Sequence, residues 1–208
     1  MSNRASLIRG FYPIIDTAYL LPDGLSRAAA SLLKGGASII QLRAKGLNNR
    51  ALLSAAIEIK RLAASYKAVF IVNDRVDIAL LSQADGVHLG QDDIPLPEAR
   101  KALGPNAIIG LSTHNEGEAK EALSRGADYI SFGPVFATAT KKDAETPKGL
   151  PALRKARGMT PLPIVAIGGI TEGNMGKALA AGATEVAMIS EVLLSADPCE
   201  KTASIISK

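Results

Sequence analysis

Polar side chains that could bind a diphosphate follow one short apolar run in the first quarter of the chain. Gln41, Arg43 and Lys45 are spaced by two residues, so in an extended strand their side chains lie on one face. Arginine binds phosphate oxygens through a planar fork, and lysine binds them as a point charge. The three residues are therefore a candidate diphosphate site. A solvated strand end with Arg43 in a structural ion pair would show the same pattern.

Carboxylates follow the next two apolar runs. Asp74 comes after a run of Phe, Ile and Val, and Asp92 and Asp93 come shortly after His88. Mg²⁺ is usually held by one or two carboxylates together with substrate phosphates and water. The sequence thus predicts a Mg²⁺ site, although Asp74 or Asp93 could instead be a helix N-cap. We interpret His88 as an interior histidine with hydrogen-bond partners, and the two histidines and one cysteine of the chain make a zinc site improbable.

Three later segments have the composition of phosphate-binding loops. Residues 134–148 combine threonines, lysines and prolines, which fits a mobile lid over an anionic substrate or an ordinary surface loop. Gly168 and Gly169 would let backbone N–H groups approach an anion, and Ile189-Ser190 begins the segment after the last apolar run. A tight turn imposed by packing is the alternative explanation of the glycines, but their position along the chain favours a phosphate site.

The elements that must position these residues alternate between strand and helix. Alanine- and leucine-rich stretches at 25–34, 49–65, 115–125 and 171–181 have helical spacing. The predicted strands are nearly continuous apolar runs, as in parallel sheets covered on both faces: 11–15, 37–42, 68–72, 85–89, 107–111, 128–132, 163–167 and 184–189. Eight such units in 208 residues predict one α/β domain over 1–208, a (β/α)8 TIM barrel. An open doubly wound sheet is the alternative, but the early G-x-G-x-x-G turn is missing.

Composition restricts the partners. A net charge of +4 is dispersed, with no basic block longer than two residues, so we expect no nucleic-acid partner. No apolar run approaches the length of a membrane span, and the N-terminus lacks a secretory apolar region. One cysteine, Cys199, suits a reducing compartment. We therefore expect a soluble cytoplasmic protein without membrane association. A homodimer is compatible with the sequence, which does not determine the oligomeric state.

Six segments, in order and with matching spacing, resemble the thiamine-phosphate synthase family over nearly the whole chain. They are QLRAK, VNDR, HLGQDD, GLSTH, FGPVFATATKK and AIGGI. The resemblance implies a (β/α)8 transferase that joins a hydroxymethylpyrimidine diphosphate to a thiazole phosphate and releases diphosphate. The small-molecule substrates and Mg²⁺ would be its only ligands. One departure is Ala137, where the family often has proline.

The resemblance also implies a role for individual residues. Mg²⁺ would be bound by Asp74 and Asp93. The pyrimidine diphosphate would be bound by Gln41, Arg43, Lys45, Asn73, Ser112 and Lys141. The thiazole phosphate would be bound by Thr138, Thr140, Gly169, Ile189 and Ser190. The implied mechanism is dissociative, and Arg43, Lys45 and Lys141 would stabilise the charge that develops on the leaving diphosphate.

Three other functions compete with this interpretation. A thiazole tautomerase of the same fold usually lacks the Gln and Asp of HLGQxD and the TxTK pattern, whereas Gln91, Asp93 and Lys141 are present here. A non-catalytic phosphate-binding barrel would not need both a metal and a diphosphate site. A sugar-phosphate isomerase or epimerase would need an acid–base pair in place of the cations after the second strand.

Overall fold

The predicted barrel is confirmed by a computed structural model that describes residues 10–138 and 146–208. Eight parallel strands pair in chain order, and the first closes onto the eighth. Each predicted strand overlaps an observed one. The strands are β1 Gly10–Asp16, β2 Ile39–Arg43, β3 Val69–Asn73, β4 Gly86–Leu89, β5 Ile108–Thr113, β6 Tyr129–Phe132, β7 Ile164–Ala166 and β8 Glu185–Met188.

Helices follow the strands along the described part of the chain, and two of them have the predicted bounds. The helices are α1 Leu25–Lys34, α2 Asn49–Ser65, α3 Val76–Leu81, α4 Leu96–Leu103, α5 Glu116–Arg125, α6 Gly149–Met159, α7 Met175–Ala180, α8 Ser190–Leu193 and α9 Pro198–Ile206, with a 3-10 turn at Pro22–Gly24. The helix predicted at 171–181 begins later, at Met175. The Asn174 side chain accepts from the Thr171 amide at 2.8 Å and donates to the Gly169 carbonyl at 2.8 Å, which holds residues 171–174 as a loop.

The strands are nearly continuously apolar because one face packs against the helices and the other faces the barrel interior. Successive side chains of a strand point to opposite faces, so Ile40 and Leu42 pack outward against helices while Ile39 points into the barrel. Aliphatic side chains dominate both layers, as the low aromatic content requires. Burying each one contributes about 1.5–3 kcal/mol. The barrel interior holds Tyr12, Ile14, Ile39, Val69, Ile71, Ile108, Tyr129, Val165 and Ala187.

Strand register brings the polar strand ends to one rim. Asp16 of β1 pairs with Arg43 of β2, and Asn73 of β3 pairs with His88 of β4. Because all strands are parallel, their carboxyl ends meet at the same end of the barrel, where ligands bind in this fold. The fold therefore places the predicted polar residues at the strand ends together at one end of the barrel.

Candidate active site

A cavity of about 560 Å³ opens at the carboxyl ends of the strands. Eight of the residues predicted to bind substrate line it: Gln41, Arg43, Asn73, Ser112, Thr138, Gly169, Ile189 and Ser190. Lys45, Asp74 and Asp93 are not among the lining residues but adjoin them through Asn73, whose side-chain amide contacts Asp74. Thr140 and Lys141 lie outside the described residues. The structure thus brings the two predicted halves of the site into one pocket.

Arg43 is held at the rim of the pocket by a buried acid that sequence reasoning did not identify. Its Nη1 donates to Asp16 Oδ2 at 2.7 Å, and Asp16 is only 1% exposed. The other Asp16 oxygen accepts from the Ala18 amide at 2.9 Å. The structural ion pair considered for Arg43 therefore exists. Within the described residues only Nη1 has a protein partner, so the rest of the guanidinium fork can still bind an anion.

The backbone places Asp74 above the end of β4. Its φ of 63° is a left-handed conformation, which aspartate tolerates better than most residues. Its N–H donates to the His88 carbonyl at 2.8 Å, extending the β3–β4 pairing by one residue. The side chain accepts from Asn73 and forms an ion pair with Lys45 at 3.2 Å. Lys45, 64% exposed, therefore reaches the predicted metal ligand and is not isolated in solvent.

The two predicted metal ligands, Asp74 and Asp93, are close together. Burial, followed by the charge of Asp93, raises the pKa of Asp74 above its ordinary value. Asp93 is oriented by the Gly90 amide, which donates to its Oδ2 at 2.6 Å. Neither acid is a helix N-cap, since α3 and α4 follow Arg75 and Pro95, which make no capping side-chain bond. Two neighbouring carboxylates are a suitable oxygen-donor pair for a divalent cation.

That donor pair fits Mg²⁺ better than a softer metal. Across residues 10–138 and 146–208, no group of three or more His, Cys, Asp and Glu side chains is placed to hold a metal ion. A protein-only cage is therefore not formed by the described chain, whereas Mg²⁺ commonly takes most of its ligands from phosphate and water. The cavity, which Asn73 lines next to Asp74, has room for such a phosphate.

Beneath the pocket, a chain of hydrogen bonds crosses the barrel interior. Gln41 Nε2 donates to the Tyr12 hydroxyl at 3.0 Å, and the hydroxyls of Tyr12 and Tyr129 lie 2.8 Å apart. The Tyr129 hydroxyl is 2.9 Å from His88 Nδ1, and His88 Nε2 is 3.0 Å from the Ser112 hydroxyl. Burial raises the pKa of both tyrosines, so their hydroxyls stay neutral. The chain fixes the two predicted pyrimidine-side residues, Gln41 and Ser112.

Sequence reasoning missed the two tyrosines of this chain. The available signal was their position: Tyr12 alternates with Ile14 and Asp16 on the inward face of β1. A tyrosine hydroxyl that is buried at an inward-facing strand position usually has a hydrogen-bond partner. His88 does have several partners, as expected for an interior histidine.

The opposite side of the pocket contains two adjacent glycines in the loop after β7. Gly168 and Gly169 have φ values of 92° and 62°, where most residues are strained. A Cβ at Gly168 would come within 2.4 Å of Pro134, and one at Gly169 within 2.3 Å of the Ala137 carbonyl. Packing alone therefore requires both glycines. Gly168 and Gly169 therefore present only backbone to the pocket, and we call them the glycine wall; Ser190, at the start of α8, lines the same pocket.

The sequence is similar to known proteins over most of its length. Residues 11–192 match the family described as thiamine monophosphate synthase. The chain belongs to this family. A thiamine-phosphate synthase of Shouchella clausii is 47% identical over 165 residues, covering 79% of each chain. One from Methanoculleus marisnigri is 48% identical over 173 residues, covering 83% of this chain and 81% of the relative.

A solved structure of the family has the same fold. The thiamine phosphate pyrophosphorylase from Pyrococcus furiosus superimposes with a TM-score of 0.86 at 35% identity, covering 98% of this chain and 96% of that one. The family resemblance, the (β/α)8 fold and the transferase class inferred from the six segments are confirmed. Gln91, one of the residues that favoured a synthase, donates to the Ser112 carbonyl at 2.5 Å and so braces the end of β5.

Proposed function

We propose that the chain condenses 4-amino-2-methyl-5-(diphosphooxymethyl)pyrimidine with the thiazole phosphate, giving thiamine phosphate and diphosphate. The observation that supports this most directly is the two-sided pocket. Cations and paired carboxylates lie on the β2–β4 side, and a glycine wall lies on the β7–β8 side. Two anionic groups of different size would need two such environments in one cavity.

The β2–β4 side is assigned to the pyrimidine diphosphate. The ring would contact Gln41, whose amide is oriented by the Tyr12 hydroxyl. The diphosphate would contact Arg43, Lys45, Asn73 and Ser112, together with Lys141 from outside the described residues. Lys45 now pairs with Asp74, so it can exchange that carboxylate for a phosphate oxygen when substrate binds.

Asp74 and Asp93 are the residues that would hold Mg²⁺. Their donor set is oxygen only, and their mutual repulsion would be relieved by a cation. When bound, Mg²⁺ would neutralise charge on the diphosphate as the bond to carbon breaks. The Gly90 amide keeps Asp93 turned toward this position.

The β7–β8 side is assigned to the thiazole phosphate. Gly169, Ile189 and Ser190 line this part of the pocket, with Thr138 beside them and Thr140 outside the described residues. Backbone amides and hydroxyls bind phosphate without adding net charge. The thiazole nitrogen would then be presented to the carbon that loses diphosphate.

The residues of the chain would act chiefly by stabilising the leaving group. In the proposed step the C–O bond to diphosphate breaks, and the thiazole nitrogen attacks the resulting pyrimidine methylene cation. Arg43, Lys45 and Lys141 would stabilise the oxygen that takes the electron pair. No covalent enzyme intermediate is needed, because the incoming nucleophile is the second substrate.

The cytoplasmic location and the homodimer stay predictions, which cell fractionation and light scattering, respectively, would test. None of the helices in the described ranges combines the length and apolar character that a membrane span requires.

The proposal is tested by incubating the purified protein with both substrates and measuring thiamine phosphate and diphosphate. We expect equimolar formation of the two products, loss of turnover with EDTA, and recovery with Mg²⁺. Full activity in rigorously metal-free buffer would contradict the metal assignment. Tautomerisation of the thiazole without diphosphate release would favour the isomerase alternative.

A further inference from the structure

An ion-pair bridge connects α9 to the loop after β7 and to α8. Lys201 of α9 contacts Glu172 Oε2 at 2.7 Å and Glu191 Oε1 at 2.9 Å. Glu172 belongs to the loop after β7, and Glu191 follows Ser190 in α8. The same Glu191 oxygen lies 3.4 Å from the Glu172 amide nitrogen, which donates to it. One lysine therefore joins the two segments that form this side of the pocket.

The bridge places a carboxylate where it would repel a phosphate. Glu191 lines the pocket next to Ser190, the residue assigned to the thiazole phosphate. Like charges close together at a binding site cost affinity unless one of them is neutralised. Within the described part of the chain, Lys201 is the one cation within 4.0 Å of the Glu191 carboxylate.

Glu172, in contrast, has several partners. Lys208 contacts its Oε1 at 2.5 Å, and the Ser204 hydroxyl donates to the same oxygen at 2.8 Å. Lys201, Lys208 and Ser204 lower the pKa of Glu172 to about 2, and its carboxylate raises the pKa of Lys201. Glu172 and Lys201 are therefore ionised at neutral pH. Losing Lys201 would leave Glu172 paired but Glu191 without a counter-charge.

We propose that Lys201 is a positioning residue for the second substrate, because it neutralises Glu191 and ties α8 to the loop after β7. This inference rests on the proposed assignment of the thiazole phosphate to this side of the pocket. Lys201 itself does not line the cavity, so it would act through Glu191 and not by touching substrate.

The test compares two lysines of the same network. Lys201→Met should raise KM for the thiazole phosphate about tenfold, with KM for the pyrimidine diphosphate and kcat at saturation unchanged. Lys208→Met removes a contact to Glu172 only, and should leave both KM values within twofold. Lys201→Arg keeps the charge and should recover most of the affinity.

A double variant separates electrostatics from structural damage. If the unpaired Glu191 carboxylate causes the defect, adding Glu191→Gln to Lys201→Met should restore KM for the thiazole phosphate to within threefold of wild type. Equal rises in both KM values, equal effects of the two lysine variants, or no rescue would overturn the inference.

Binding of inorganic phosphate, measured by calorimetry, keeps this result independent of turnover. We expect Lys201→Met to weaken phosphate binding about tenfold, and the double variant to recover it. If wild-type protein forms no thiamine phosphate but shows this pattern, the proposed function fails, while the neutralisation of Glu191 by Lys201 at a phosphate site stands. Unchanged phosphate affinity in Lys201→Met would overturn the role of Lys201.

Discussion

The two sides of the pocket bind anions by different means. On the β2–β4 side, Arg43 and Lys45 are charged side chains already paired with Asp16 and Asp74. On the β7–β8 side, the wall is backbone, with Gly168 and Gly169 fixed by contact with residues 134–137. The first side must exchange partners when a ligand binds, whereas the second is preformed.

This difference predicts opposite sensitivities to mutation. Removing a charged group should damage the β2–β4 side, because stabilisation of the leaving diphosphate depends on a few specific side chains. Adding bulk should damage the β7–β8 side, because its shape depends on the absence of side chains. Variants of each kind therefore test whether the two sides bind their anions by different means.

The largest loss of turnover is expected from Asp93→Asn. It keeps the size of the side chain and an acceptor for the Gly90 amide, but removes one of two carboxylates proposed for Mg²⁺. Turnover should fall roughly 10²–10³-fold, as for removal of other groups that stabilise a developing charge. The measurement is kcat across a Mg²⁺ titration.

Asp92→Asn is the matched control, since it changes the adjacent acid and should stay within a few-fold of wild type. Thermal melts of both variants report folding. Comparable, small losses from the two substitutions would show that Asp93 is not a metal ligand and that the charged side of the pocket has been misassigned.

A smaller and selective effect is expected from Ser190→Phe. Its ring would intrude on the wall beside the glycines, so KM for the thiazole phosphate should rise at least tenfold, or about 1.4 kcal/mol. KM for the pyrimidine diphosphate should change little. Ser190→Ala adds no bulk, so in the same steady-state experiment it measures the loss of the hydroxyl alone.

If Ser190→Phe raises both KM values equally while its melting temperature is unchanged, the two sides are not independent. The comparison would then have to be abandoned in favour of one shared site. A fall in melting temperature would instead identify a packing defect, which Ser190→Ala would lack.

Strand ends could be predicted from sequence, but the contacts across the barrel could not. Spacing by two placed Gln41 and Arg43 inward, and the structure confirms that both line the pocket. Asp16 as the partner of Arg43 depends on β1–β2 register, which joins residues 27 positions apart. The hydrogen bond between Tyr12 and Tyr129 joins residues 117 positions apart on non-adjacent strands. Local periodicity carries no information about such pairs.

The left-handed backbone at Asp74 was also beyond sequence reasoning. An aspartate after a strand is equally suited to capping the next helix, and its type alone favours neither role. The deciding contact is the bond from its N–H to the His88 carbonyl, which depends on β3–β4 pairing. Asp93 was placed by family resemblance, and its orientation by Gly90 became visible only in the structure.

No change in turnover is expected from a substitution at the opposite end of the barrel, at Glu185. This first residue of β8 pairs with Gly10, is fully buried, and has no hydrogen-bond partner for either carboxylate oxygen among the described residues. Burial raises its pKa to about 8, so the carboxyl is mostly protonated in the folded protein at pH 7. It does not line the pocket.

The sign of the resulting pH dependence follows from linkage. The unfolded chain releases this proton near pH 4.5, whereas the folded protein keeps it up to about pH 8. The free energy of unfolding therefore falls as pH rises between these values and levels off above pH 8. At pH 7 the accumulated loss is roughly 3 kcal/mol, at about 1.4 kcal/mol per pH unit. Glu185→Gln cannot ionise and should lack this loss.

Urea unfolding at pH 5, 6, 7 and 8 would measure the effect. The stability of Glu185→Gln relative to wild type should increase by roughly 2–3 kcal/mol from pH 5 to pH 7, while kcat and both KM values stay unchanged. Glu58→Gln, on an exposed face of α2, should show no such trend. Parallel pH profiles for Glu185→Gln and wild type would mean that the buried carboxyl is solvated or paired. A change in kinetics would mean that the polar groups of the two barrel ends are coupled through the tyrosines between them.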